Sequence, residues 1–121
     1  MVQLPPQSRI FVATAPVDFR KGIDGLAAVC RQALGDNPLS GAIYVFRNRA
    51  ATAIKLLFYA GQGFWLCSKR WSQGRFQWWP ASQGTRASLA ARELSILLWT
   101  GLPLQAQMRE DWRPLSEGGT R

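Results

Sequence analysis

SGAIYVFRNRAATAIKLLFYAGQGFWLCSKRWSQGRFQWWP, residues 40–80, is the stretch whose reading decides the fold. Short apolar runs are divided by Arg47-Asn48-Arg49, Gly61-Gln62-Gly63 and Ser72-Gln73-Gly74-Arg75, which is the punctuation of an antiparallel meander. The spacing predicts strands over 42–47, 53–59, 64–69 and 75–79. Alternation within them sets Ile54, Leu56 and Phe58 against Lys55, Leu57 and Tyr59, then Phe64, Leu66 and Ser68 against Trp65, Cys67 and Lys69, then Phe76 and Trp78 against Arg75, Gln77 and Trp79. The expectation is a sheet with one apolar face and one face carrying lysine, arginine and aromatic rings.

Outward from the meander, Arg9–Thr14 (RIFVAT) is β-branched and aromatic enough for a preceding strand, closed by Pro16. From Gly22 to Leu34 the residues Ile23, Leu26, Ala27, Cys30 and Leu34 recur at three- and four-residue steps, one face of an amphipathic helix, with Asp18 or Asp24 near its start and Gly35 as its stop. Ser88 is a candidate N-cap for a second helix through Leu89, Leu94, Leu97, Leu98 and Trp99, ending at Gly101. The fold class is therefore α+β, an antiparallel meander with two helices packed on its apolar face in the order β-α-β-β-β-(β)-α. Residues 1–104 are expected to form a single domain, and 105–121 a polar, mobile tail.

Charge is distributed as unevenly as hydropathy. The 121 residues carry 15 Lys and Arg against 7 Asp and Glu, a formal net charge of +8. Between Asn37 and Arg92 there is no acid, while Arg47, Arg49, Lys55, Lys69, Arg70, Arg75, Arg86 and Arg92 supply eight cations; the other seven cations are matched by seven acids. The whole excess lies in the meander and the stretch that follows it, interleaved with aromatic rings, and that combination points to a polyanionic partner.

Composition argues against catalysis. There is no histidine, which removes the commonest general base and most zinc sites. Asp18 and Asp24, six residues apart across a helix start, read as capping or dipole groups rather than metal ligands, and no metal or other cofactor is expected. The glycines fit neither a Walker nor a dinucleotide fingerprint. Cys30 and Cys67 read as free thiols in apolar surroundings, with a single bridge between them left open. The N-terminus, broken by Pro5, Pro6 and Arg9, lacks a signal-peptide core, and no apolar run approaches the roughly 20 residues of a membrane span; a soluble, cytoplasmic protein with no membrane partner is the expectation.

Several stretches in register carry a resemblance: Val17-Asp18-Phe19-Arg20-Lys21-Gly22-Ile23-Asp24-Gly25-Leu26, Ser40-Gly41, Val45-Phe46-Arg47-Asn48-Arg49, Lys55-Leu56-Leu57, Gly63-Phe64 with Lys69-Arg70, and Gly74-Arg75-Phe76. From about Pro5 to Gly101 the chain resembles the TnpB-type accessory proteins, the second open-reading-frame products of the IS-sixty-six group of bacterial insertion sequences. The resemblance implies a non-catalytic helper in DNA transposition, working beside a separate transposase that holds the strand-cutting carboxylates. Ala50 and Ala60 depart from the family pattern at two turn tips, and Phe76-Gln77-Trp78-Trp79-Pro80 replaces its shorter Phe-x-Trp-Pro ending.

The candidate contacts with nucleic acid are Arg47, Arg49, Lys55, Lys69, Arg70 and Arg75 for backbone phosphates, with Trp65 and Trp79 for stacking on bases. Arg20 and Lys21, just before a helix, form a possible phosphate site. A reading of a different class makes the chain a module that docks on the transposase through Trp71, Trp78, Trp79 and Trp112, since tryptophan and arginine dominate protein interfaces. Self-association is compatible with either.

Overall fold

Gly61 and Gln62 both take positive φ, +63° and +67°, the backbone of a type I′ turn, whose twist matches that of the strands it joins. The turn closes a hairpin between two eight-residue strands that set the frame of the molecule. A computed structural model describes residues 9–100. In chain order the elements are β1 (Ile10–Ala13), α1 (Ile23–Gln32), a single 3₁₀ turn (Pro38–Ser40), β2 (Ile43–Arg47), β3 (Ala53–Ala60), β4 (Gly63–Arg70), β5 (Arg86–Ser88) and α2 (Ala91–Thr100).

The strands form one sheet in the order β4-β3-β2-β1-β5. β2, β3 and β4 are the expected antiparallel meander, in register Val45↔Leu56 and Leu57↔Leu66. β1 adds parallel to β2, Val12↔Val45, with α1 in the crossover, and β5 adds antiparallel to β1, Val12↔Ala87. The fold is α+β as expected, with a mixed rather than purely antiparallel sheet.

The helices do not share a face. Leu26, Ala27, Cys30 and Leu34 of α1 and its C-terminal exit pack with Ala13, Tyr44, Phe46 and Leu57 on one side of the sheet. Leu94 and Leu97 of α2 pack with Ile10, Val12, Ile43, Val45 and Ile54 on the other. Every strand residue of β2 from Ile43 to Phe46 is buried, which requires cover on both sides. The correction follows from alternation itself: Tyr44, Phe46 and Leu57 are as apolar as their neighbours, so the second face also needs a helix. Cys30 lies in the core beneath α1 and Cys67 on the α2 side, both as free thiols, so the sheet stands between them. Burial pushes the Cys30 thiol up to about 12.

Two element assignments differ from the expectation. Residues 75–79 are not a strand: Phe76 is buried in the α2-side core with the rings of Trp71 and Trp79 against it and Trp78 packed on the same cluster, and the indole Nε1 of Trp79 donates to Ala13 O at 2.9 Å. The segment is used as an aromatic plug, so the fifth strand comes later, at Arg86–Ser88. Ser88 belongs to that strand, opposite Phe11, and α2 starts after Ala90, whose carbonyl accepts from Leu94 N. The expected tail, 105–121, lies outside the described residues, as does Trp112.

Candidate nucleic-acid interface

The connection between β2 and β3 is built by one side chain. Asn48 Oδ1 accepts from Thr52 N (2.9 Å) and Ala53 N (3.1 Å), while Nδ2 donates to Thr52 Oγ1 at 2.8 Å. An asparagine that satisfies backbone donors in this way replaces ladder bonds at a turn, and the loop closes with Ala51 at φ +61°. Arg49 and Ala50 are left exposed at its tip.

The chain leaving β4 returns to the same place. Ala53 is the register partner of Arg70, Trp71 N donates to Thr52 O (2.8 Å), and Phe76 N donates to Ala51 O (3.0 Å). Phe76 anchors this strap in the core, which holds the adjacent Arg75 out in solvent. Arg49, Arg70 and Arg75 therefore sit at one end of the sheet, all exposed and, among the described residues, without an ion pair. Arg47, the last residue of β2, joins them half-buried: its guanidinium lies 5.9 Å from the Trp79 ring centroid, one Nη reaches Asn48 O at 3.4 Å, and its Nε is buried without a partner. A guanidinium has five donors and no acceptor; the buried Nε is closed to a solvent anion, so any anion contact falls to the Nη groups.

The other candidates are placed elsewhere, and the expected basic face is not formed. Lys55 stands opposite Ser68, and Lys69 opposite Ile54; directly paired residues point to the same side of a sheet, so the two lysines are on opposite faces. Lys55 Nζ donates to Phe19 O (2.9 Å) and Lys21 O (3.2 Å), 4.8 Å from the centroid of the Phe19 ring. It fastens the segment before α1 to the sheet. Lys69 Nζ donates to Leu98 O in the last turn of α2 and faces the rings of Trp71 (4.7 Å) and Trp99 (5.6 Å), where a cation complements the helix dipole. Trp79 is committed to the aromatic plug. Trp65 is 56% exposed, stacked on Phe58 at 6.2 Å on the α2 face.

Arg20 and Lys21 are both exposed just ahead of α1. Asp18 holds the Arg20 guanidinium at 2.7 Å and also accepts from its backbone N–H, so of that pair only Lys21 is without a carboxylate partner among the described residues. Arg86 is taken by Asp36 and lies over the Phe11 ring. Among the described residues no helix is long and apolar enough to cross a membrane, and no three His, Cys, Asp or Glu side chains come together as a metal site needs.

Sequence reading did not find the shallow groove of about 420 Å³ on the α2 face, where Leu56, Phe58, Cys67, Leu98 and Trp99 meet. α2 packs Leu94 and Leu97 over β1, β2 and β3, and Trp99, placed by its spacing on the helix's apolar face, is 69% exposed. Nor did it assign a role to Asn48 beyond punctuation, although Asn between two arginines after a strand was the available signal.

Comparison with known proteins gives a family and close relatives. The family model described as IS66 Orf2 like protein matches residues 8–109. The chain is 36% identical over 110 residues to Uncharacterized protein y4hO of Sinorhizobium fredii, covering 91% of this chain and 93% of that one. It is 36% identical over 96 residues to Uncharacterized protein y4jC of the same organism, covering 76% and 81% respectively. No solved structure matches.

Proposed function

The chain belongs to the IS66 Orf2-like family, and from that premise we propose that it is a non-catalytic accessory factor of insertion-sequence transposition that holds DNA by its phosphates at the arginine-bearing end of the sheet. The observation that carries this reading is the convergence of Arg47, Arg49, Arg70 and Arg75 from three separate segments onto one end of the sheet, where the nearby acid, Asp18, is engaged with Arg20. Each exposed guanidinium there can replace condensed counterions on a phosphate backbone, and arginine's fork suits phosphate oxygens.

The reading differs from a flat stacking platform. Lys55, Lys69 and Trp79 already serve the fold, so phosphate contact falls to the arginines, and among the described residues nothing at this end resembles a recognition helix with base-reading residues. Binding should be strong at low salt and weakly sequence-dependent.

An electrophoretic shift assay on terminal-repeat DNA and on random DNA tests this. Wild type should shift both at low salt, and Arg49→Ala/Arg70→Ala/Arg75→Ala should shift both only at much higher protein concentration while keeping its fold. Absence of a shift by wild type would remove the DNA reading. Binding to the transposase that survives moderate salt would then favour a docking module, because an aromatic interface is little screened.

A further inference from the structure

β4 is an edge strand of eight residues, and its outer side is unpaired among the described residues. Which groups face outward follows from the hairpin. The closing pair of a two-residue I′ loop, Ala60 and Gly63, exchanges both backbone hydrogen bonds, and hydrogen-bonded pairs then alternate along the ladder. Trp71 N to Thr52 O continues the same alternation at the far end. Phe64, Leu66, Ser68 and Arg70 therefore direct their N–H and C=O groups away from β3.

We propose that this edge pairs antiparallel with the β4 edge of a second copy of the chain, centred on Cys67. A long unpaired edge is a template for another strand, and natural edges are guarded by lysine or arginine. Here the two cations stand only at the last positions, Lys69 and Arg70. Antiparallel pairing about Cys67 carries each away from its copy and sets it across from a ring: Lys69 faces Trp65, and Arg70 faces Phe64. With Lys69 held at its ammonium by Leu98 O, its methylene stem lies over the exposed indole; Arg70, exposed and in no ion pair among the described residues, meets Phe64 as a cation against an aromatic ring.

The neighbouring even registers lose this match. A shift of one residue in each copy, towards the hairpin or away from it, leaves Lys69 opposite Gly63 or Cys67. The chosen register also leaves the outward N–H groups of Leu66 and Ser68 paired with each other's strand, and joins the two shallow apolar grooves across the two-fold axis. Cys67 then faces its own copy at a non-hydrogen-bonded position, where α-carbons lie about 4.5 Å apart, within the roughly 4.4–6.8 Å that a disulfide spans.

The test is the mass of the full chain by light scattering at tens of micromolar, with and without diamide, which oxidises paired thiols by accepting two electrons and two protons. Wild type should have twice the chain mass, diamide should link the copies through Cys67, and Cys67→Ser should abolish the link without abolishing the dimer. Ser68→Pro removes an outward N–H and leaves the β3 ladder intact; it should be monomeric with an unchanged far-UV spectrum. A monomeric wild type, a dimer unaffected by Ser68→Pro, or a dimer that diamide does not link at Cys67 overturns the proposal. Should Ser68→Pro fail to fold, the wild-type cross-link alone decides.

Discussion

Lys55 and Lys69 have the same charge as the arginines at the sheet end, yet the ammonium of each is occupied by backbone carbonyl oxygens. Two carbonyls before α1, of Phe19 and Lys21, and that of Leu98 in α2 take these ammonium groups, and a cation so held is already spent within the fold. Asp18 shows the converse. The Arg20 side chain, then its backbone N–H, hold the Asp18 carboxyl down from 3.8 to about 2. A carboxyl depressed in the folded state contributes stability above its unfolded value, and that contribution disappears as pH falls through the folded one. For Asp18 the window runs from pH 3.8 down to about 2. A carbon-13 titration of its carboxyl should show a midpoint near 2, returning towards 3.8 in Arg20→Ala; an unchanged midpoint in that variant would mean that Arg20 is not the cause.

At the scale of elements, the caps and turns explain which parts of the chain could be recognised in advance. The meander was legible because Gly-Gln-Gly and Arg-Asn-Arg mark its turns and because β3 and β4 alternate cleanly. α1 was legible from its three-four spacing. The start of α2 was not, since Ser88 has the ordinary capping chemistry whereas the actual cap position, Ala90, has none. Glu93 Oε1 instead accepts from Ala90 N at 2.9 Å, half of a capping box whose other half is missing. Ala90→Ser should complete it and stabilise the protein by about 0.5–2 kcal/mol, measured as a rise in the midpoint of denaturant unfolding; no rise would mean that the first turn is already satisfied. The residues 75–79 were misleading for another reason. Their alternation is real, but the aromatic side chains have more to gain from closing the core than from extending the sheet, and Trp79 finds its hydrogen-bond partner in β1.

For the molecule as a whole, the site was half legible. The chain shows in plain order that its excess charge lies between Asn37 and Arg92, a stretch with no acid of its own, though not that Asp36 turns back onto Arg86. It does not show the sheet from the side. Alternation gives the two faces of each strand, but the pairing register decides which faces of neighbouring strands coincide, and here the hairpin's two-residue turn sends Lys55 and Lys69 to opposite sides. What brings Arg49, Arg70 and Arg75 together is the meeting of turn, strand end and strap at one end of the sheet, a property of topology rather than of period. The central claim is that phosphate binding resides in these arginines and not in the sheet lysines, and the slope of log K against log salt tests it most directly. For duplex DNA, each phosphate that is no longer neutralised lowers the slope's magnitude by about 0.9. Arg49→Ala/Arg70→Ala/Arg75→Ala should therefore reduce it by roughly 2.7 from wild type, while Lys55→Ala/Lys69→Ala should leave it unchanged even as thermal stability drops. A slope that falls with the lysines and not with the arginines would contradict the account.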